Sequence, residues 1–211
     1  MKTLAICGSY RRQGVIHALM EEVAAGVRAV MPEAEIETIQ LTERKIAYCR
    51  GCMRCYGDDP AKPIADCVIR DDDMAELARK LDAADGYIFG TPIFCGTVTA
   101  VMKTFCERFA YVLGRPGKRP LPGCPTPRTS RRKAAVLVMS TAVVPRLFRW
   151  FCDDATKFFR EILPCTLNAR MVGSLYAGKA RAADGPGRGE NFAGEARALG
   201  GKLARALARL G

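Results

Sequence analysis

The sequence predicts an α/β fold: a single doubly wound domain over residues 1–211, with a five-stranded parallel sheet and helices on both faces. Three observations predict it. Short apolar, β-prone runs alternate with segments of helical periodicity, the pattern of strand–helix–strand crossovers. The length of 211 residues suits one domain with a substantial core. Hydrophobic residues at 49% and charged residues at 26% are ordinary for a globular chain.

The elements follow in order. Thr3–Cys7 reads as a first, buried strand. Val15–Val30 carries a helix-period stripe of Ile16, Leu19, Met20, Val23, Val27 and Val30. Ile36–Leu41 is a second strand, and Asp71–Leu81 a helix whose leading aspartates meet the positive end of its dipole. Gly86–Gly90 is the third strand, ending in Thr91 and Pro92, and Val98–Leu113 is the next helix. The Pro/Gly/Arg-rich stretch 114–133 is a surface loop, too rich in breakers for a regular element. Ala134–Met139 is a fully apolar fourth strand, Leu147–Ile162 an aromatic-rich helix, and Met171–Tyr176 a fifth strand. After a Gly-rich link, Glu190–Leu210 closes the chain as an Ala/Leu/Arg helix. In such sheets ligands bind beyond the carboxyl ends of the strands, where strand order reverses.

The start, MKTLAICGSYRR, has only a short apolar run before charge returns, and no later run is long enough to span a bilayer. A cytoplasmic location without membrane contact is the expectation. Thiols stay reduced there, so the ten cysteines are not expected to form structural disulfides. Cys7, Cys106 and Cys152 sit in apolar patterns and read as small buried hydrophobes. The formal net charge is +11, from 33 Lys+Arg against 22 Asp+Glu, concentrated in 114–133 and the last helix. Such a surface attracts anions. No helix-turn-helix, zinc-finger or RNA-binding aromatic motif accompanies the charge, so nucleic acid is not expected as a partner. A solvated loop and helix face is the plainer reading, with an acidic redox partner as the alternative.

Two strand ends carry chemistry. Gly8-Ser9-Tyr10-Arg11-Arg12-Gln13-Gly14 feeds straight into a helix, offering backbone N–H groups and the dipole's positive end to a phosphate. Ser9 adds a hydroxyl and Arg11 or Arg12 a charge-assisted bond. It is neither a P-loop nor a dinucleotide fingerprint, and a plain strand–helix turn would look much the same. After the third strand, Gly90-Thr91-Pro92-Ile93-Phe94-Cys95-Gly96 puts peptide groups beside an apolar and an aromatic side chain, which suits a flat heteroaromatic ring.

The stretch GTPIFCGTVTAVMKTFCERF resembles the second cofactor loop of the NADPH-dependent FMN reductase family, Gly-Ser-Pro-x-Tyr followed by Ser/Thr, Lys, Phe and Asp/Glu-Arg. GSYRRQG similarly resembles the family's phosphate loop, Gly-Ser-x-Arg-x-x-Gly-Asn-Thr. The resemblance implies a flavodoxin-like sheet of order 2-1-3-4-5 and bound FMN. It places the phosphate on Ser9, Arg11, Gly14, Val15 and Ile16, and the ring against Thr91, Pro92, Ile93, Phe94, Cys95 and Gly96, with Ser140 and Thr141 bordering it. Two positions depart from the pattern. The family's Asn-Thr pair falls on Val15 and Ile16, removing a usual side-chain donor, and Tyr10 stands where Pro is common. His17, the lone histidine, reads as helix filler first and as a phosphate contact beside Ser9 and Arg11 second.

Cys49-x2-Cys52-x2-Cys55 with Cys67 has spacing that suits Zn²⁺ or an iron–sulfur cluster. Similar runs occur in iron–sulfur flavoproteins, but also in cluster-free reductases, where a later cysteine precedes Asp-Asp-Met much as Cys67 precedes Asp72-Asp73-Met74 here. Free or redox-active thiols are therefore the first reading of this 49–67 loop, and a 4Fe-4S cluster the second.

The implied activity is FMN-dependent NAD(P)H oxidation, with electrons leaving through flavin N5 to a flavin, quinone, nitro or azo compound or metal ion. No catalytic side chain is expected. Assembly as a homodimer or homotetramer is implied by the family and would suit the aromatic residues Trp150 and Phe151. An iron–sulfur electron carrier and a non-enzymatic binding module on the same fold are the alternatives.

Overall fold

The computed structural model describes residues 1–117, 125–180 and 190–210. Its elements run β1 (Lys2–Cys7), α1 (Val15–Val30), β2 (Glu35–Gln40), a 3-10 turn (Leu41–Glu43), α2 (Met74–Ala83), β3 (Gly86–Pro92), α3 (Ala100–Ala110), β4 (Gly114–Arg115), β5 (Thr126–Pro127), β6 (Lys133–Ser140), a 3-10 segment (Arg146–Phe151), α4 (Asp154–Thr166), β7 (Ala169–Ala177) and α5 (Glu190–Ala208).

Five strands form one parallel sheet of order β2-β1-β3-β6-β7. With β6 and β7 as the fourth and fifth predicted strands, this is the expected order 2-1-3-4-5. β4 and β5 form a separate antiparallel ladder inside the basic segment, of which residues 118–124 lie outside the described residues.

The two faces of the sheet bury different sets of side chains, because successive strand residues point in opposite directions. Leu4 and Ile6 of β1 pack under α2, α3 and α4, whereas Ala5 and Cys7 pack under α1 and α5. The apolar stripe of α1 is buried as expected, except that Val30 is exposed. α1 and α5 meet backbone to backbone. A Cβ on Gly26 would lie 2.1 Å from the Arg197 carbonyl, and one on Gly200 would lie 2.0 Å from that of Val23.

The expected helix 147–162 is a correction. Residues Arg146–Phe151 are 3-10, and α4 begins only at Asp154. Asp153 stops the first segment and caps the second, its carboxylate accepting the Thr156 N–H at 2.9 Å. Leu147, Trp150 and Phe151, which the helical pattern would have buried, are 79%, 74% and 65% exposed. Cys7 and Cys106 are buried as expected and Cys152 is half-buried. Cys165 departs from the expectation of unpaired cysteines, since it is disulfide-bonded. Among the described residues no helix is long and apolar enough to cross a membrane.

Candidate functional site

The carboxyl ends of β1, β3 and β6 lie side by side in the middle of the sheet, with the reversal of strand order between β1 and β3. The first loop is pinned there by its neighbours. Gly8 N–H donates to the Gly90 carbonyl at 2.8 Å, and the Thr99 hydroxyl donates to the Gly8 carbonyl at 2.7 Å. A Cβ on Gly8 would come within 2.9 Å of Met102, so only glycine lets α3 pass this close.

Ser9 is buried, and its hydroxyl oxygen accepts the Arg11 N–H at 3.2 Å, closing a local turn. The Gln40 side-chain amide donates to the Ser9 carbonyl at 2.5 Å. Gly14 is the N-cap of α1. It supplies no capping side chain, and no acidic residue occupies the first turn. Val15 and Ile16 turn their side chains into the core, leaving only their backbone N–H groups for an anion. Arg11 is exposed, whereas Arg12 is engaged by Glu43 at 3.1 Å. His17 pairs with Glu21 at 3.5 Å, in keeping with its reading as helix filler.

In the second loop Thr91 is fully buried, its hydroxyl donating to the Pro92 carbonyl at 3.0 Å and accepting the Thr99 N–H at 3.2 Å. Ile93 N–H donates to the Ser140 carbonyl at 2.8 Å, joining the second and third loops. Phe94 and Thr97 exchange two N–H···O bonds of 3.0 Å around Cys95 and Gly96. With φ of 49° and 82° at these two residues, the turn has type I′ geometry and holds Cys95 in a region that side chains disfavour. The Asp154 N–H donates to the Gly96 carbonyl at 2.9 Å, so the start of α4 braces this tip. Tyr10 and Phe94, each about half exposed, bring their rings to 6.1 Å from opposite loops.

Ser140 is buried at the end of β6, and the Thr141 N–H donates to the Ala177 carbonyl at 3.0 Å. The structure thus gathers Ser9, Gly14, Val15, Ile16, Thr91–Gly96, Ser140 and Thr141 at one end of the sheet. Thr99 is the residue missed in the sequence. It caps α3, accepting the Met102 N–H at 3.4 Å, and ties the first loop to the second. A threonine just ahead of a helical stripe was the available signal.

The cysteine loop lies between β2 and α2 in the chain. Cys49, Cys52, Cys55 and Cys67 border one cavity of about 400 Å³, also lined by Lys103 of α3, Tyr111 at the C-cap of that helix and Phe158 of α4. Three anchors hold its frame. Arg108 forms a fully buried ion pair with Asp72 and donates to the Ala47 carbonyl at 2.7 Å. Arg128, expected to be solvated, donates instead to the carbonyls of Asp59 (2.6 Å), Gly114 (3.0 Å), Cys55 (3.2 Å) and Lys62 (3.2 Å). Asp58 accepts the N–H groups of Asp66 and Asp59 and faces the Lys62 ammonium, which together lower its carboxyl to a pKa of about 2. It organises the loop rather than sitting as an idle charge. Burial, with the neighbouring thiols of Cys67 and Cys49, pushes the Cys55 thiol up. Among the described residues no group of three His, Cys, Asp or Glu side chains is placed to hold a metal ion.

Comparison with known proteins gives the family and the fold. A model of the family "NADPH-dependent FMN reductase" matches residues 1–174. An iron-sulfur flavoprotein of Archaeoglobus fulgidus is 34% identical over 116 residues, 55% of this chain and 49% of that protein. An NAD(P)H-dependent FAD/FMN reductase of Geobacillus thermodenitrificans is 30% identical over 90 residues, 42% of this chain and 41% of that protein. The chain spans about half the length of the curated relatives it matches. Among solved structures, an NAD(P)H:quinone oxidoreductase from Methanothermobacter marburgensis superposes with a TM-score of 0.71 at 14% identity, covering 96% of this chain and 98% of that one. An FMN-dependent NADH-azoreductase from Bacillus anthracis, solved in complex with FMN, gives 0.66 at 11% identity over 97% and 100%. These two share the flavodoxin-like fold. With the family model matching residues 1–174, most of the sequence, the chain belongs to the NADPH-dependent FMN reductase family.

Proposed function

We propose that the chain is an FMN-dependent NAD(P)H oxidoreductase that passes electrons to a small acceptor: a free flavin, a quinone, a nitro or azo compound or a metal ion. One observation carries the reading. A helix N-terminus without a capping side chain meets two strand-end loops at the reversal of strand order, in a member of the FMN reductase family.

The residues present fit the cofactor. The N–H groups of Val15 and Ile16, the Ser9 hydroxyl and the Arg11 guanidinium would hold the phosphate. At the second loop the Ile93 and Phe94 N–H groups are engaged within the protein, which leaves those of Cys95 and Gly96 for the polar edge of the ring. Phe94 and Tyr10 would cover its apolar surface, and Ser140 and Thr141 would border it. Bound there, FMN supplies the N5 position that takes up hydride and releases electrons. The protein's own part is to place the ring, exclude water with the two aromatic side chains and neutralise the phosphate. No side-chain nucleophile is required.

The exposed apolar stretch of Val143, Leu147, Phe148, Trp150 and Phe151 follows β6 at this same end of the sheet, which supports assembly as a homodimer or homotetramer. A monomer in light scattering would remove that part. The central test is the absorption spectrum of protein purified without oxygen and reconstituted with FMN. A two-band flavin spectrum that bleaches on adding NADPH is expected; protein that takes up no FMN overturns the proposal.

The shared cavity of Cys49, Cys52, Cys55 and Cys67 favours a second reading, an iron–sulfur flavoprotein acting as an electron carrier, in keeping with the names of several relatives. It requires the 49–55 segment to close inward, since no three ligating side chains converge among the described residues. Iron and acid-labile sulfide in anaerobically purified protein would establish it, and their absence would leave the thiols free.

A further inference from the structure

A second concave surface lies at the opposite end of the sheet from the flavin loops. The amino ends of β6 and β7, the side of α4 and the last turns of α5 enclose a groove of about 900 Å³. That volume is at the upper end of the range for small-ligand sites. Arg132, Arg160, Arg170, Lys202, Arg205 and Arg209 rim it, all exposed. Among the described residues no aspartate or glutamate lines it. Among the described residues these six cations form no ion pair, although nearby arginines do: Arg131 with Asp85, Arg149 with Asp153 and Arg197 with Glu22. The floor is apolar, built from Pro164, Met171, Val172 and Ala206.

Six like charges around one concavity repel one another, and nothing within the described protein offsets them. An anionic occupant would. Three classes of occupant fit poorly. A second copy of this chain carries net charge +11 and would bring more positive charge to the groove. Single-stranded nucleic acid is gripped by stacking bases on aromatic rings, and among the described residues no aromatic side chain lines this surface. Strand addition at the outer edge of β7 is blunted by the register shift opposite Ala135/Val136, which leaves Val172 out of the ladder. An acidic peptide segment that also carries apolar side chains fits both parts: carboxylates for the guanidinium forks and aliphatic groups for the floor.

We propose that this groove is a docking site for an acidic, partly apolar segment of a protein partner. The site is independent of the flavin chemistry. The eight residues of β6 separate the groove from the cofactor loops by about 26 Å at ~3.3 Å per residue. A docked partner therefore leaves the flavin loops open, and docking serves to tether the reductase rather than to deliver its substrate.

The test uses the full chain and a fluorescein-labelled dodecapeptide of alternating Glu and Leu, followed by anisotropy. Saturable binding is expected, weakening as salt rises, with a Glu/Ser peptide of equal charge binding more weakly because it lacks the apolar side chains. The triple substitution Arg160→Glu, Arg170→Glu and Arg205→Glu is expected to weaken binding at least about tenfold while leaving the melting temperature and any flavin reduction unchanged. Any of three results would overturn the proposal: no binding by the wild type, equal binding by the folded triple variant, or tighter binding of a single- or double-stranded oligonucleotide of matched charge. The second would move the anion site to another basic surface, and the third would make the groove a nucleic-acid site.

Discussion

Arg108 of α3 and Asp72, just ahead of α2, form an ion pair in which both side chains are only 1% exposed. Asp72 also accepts the N–H groups of Ala47 at 3.0 Å and Met74 at 3.2 Å, while Arg108 reaches the Cys67 sulfur at 3.8 Å. The pair therefore joins α2, α3 and both ends of the cysteine loop. Burial opposes ionisation of Asp72, but the Arg108 guanidinium and the two backbone donors outweigh it and hold its carboxyl below the usual range. Removing one partner leaves a buried charge unpaired, so Asp72→Asn should cost roughly 3–5 kcal/mol in urea unfolding. A depressed carboxyl pKa contributes stability above the unfolded value of about 4 and loses it as the pH falls below that. The gap between wild type and Asp72→Asn should accordingly narrow on acidification below about pH 4. A gap that stays constant would mean that the ion pair does not carry the effect.

Gly90 shapes the end of the sheet proposed to hold FMN. A Cβ there would sit 2.1 Å from the Met20 sulfur and 2.8 Å from Ile16 Cγ2, so Gly90→Ala must push the first turns of α1 away from β3. Overpacking of this kind costs about 1–3 kcal/mol. It would also displace the Val15 and Ile16 N–H groups, so FMN affinity, read from quenching of flavin fluorescence, should fall together with stability. Wild-type affinity in a destabilised Gly90→Ala protein would disconnect the helix start from the phosphate.

The thiols should react in two classes. Cys49, Cys52 and Cys95 are exposed, whereas burial pushes up the thiols of Cys7 and Cys106. Since the thiolate is the nucleophile, a chromogenic disulfide reagent should modify the exposed set within the mixing phase and reach Cys7 and Cys106 only on unfolding. Mass mapping of the fast adducts checks this, and early labelling of Cys106 would contradict the packing of α3.

The five sheet strands and the loops at their ends were legible in the sequence because they follow from local pattern, whereas strand order came from the family resemblance. The all-apolar run Ala134–Met139 admits only a central strand, and GSYRRQG before a helical stripe admits only a strand–helix loop. What escaped depends on partners distant in sequence. Arg128 and Lys133 read as loop cations, yet one is folded onto four carbonyls and the other is buried. The run Leu147–Phe151 carries helical periodicity without any surface to cover it, so its side chains stay exposed and Asp153 takes over as the start of α4. The converging sides of the basic groove come from 132, 160–172 and 202–210, segments that no sequence window joins.

Lys133 offers the sharpest test of the buried charges. Its ammonium, 1% exposed, donates to the carbonyls of Asp82 (2.6 Å) and Leu81 (2.9 Å) and to the Tyr87 hydroxyl (3.0 Å), closing the end of α2 against β6. Desolvation lowers its pKa to about 8 from 10.5. The unfolded chain then holds the proton longer than the folded one, so stability rises with pH across the window from 8 to 10.5 and levels off above it. A shift of this size corresponds to about 3 kcal/mol. Lys133→Met removes the titrating group. Urea unfolding of both proteins at points across that window should show the balance moving toward wild type as pH increases, with effects of the remaining titratable groups cancelling in the difference. A difference that does not change with pH would show that the three acceptors hold the ammonium charged at its ordinary pKa, and that its burial costs the fold nothing in that range.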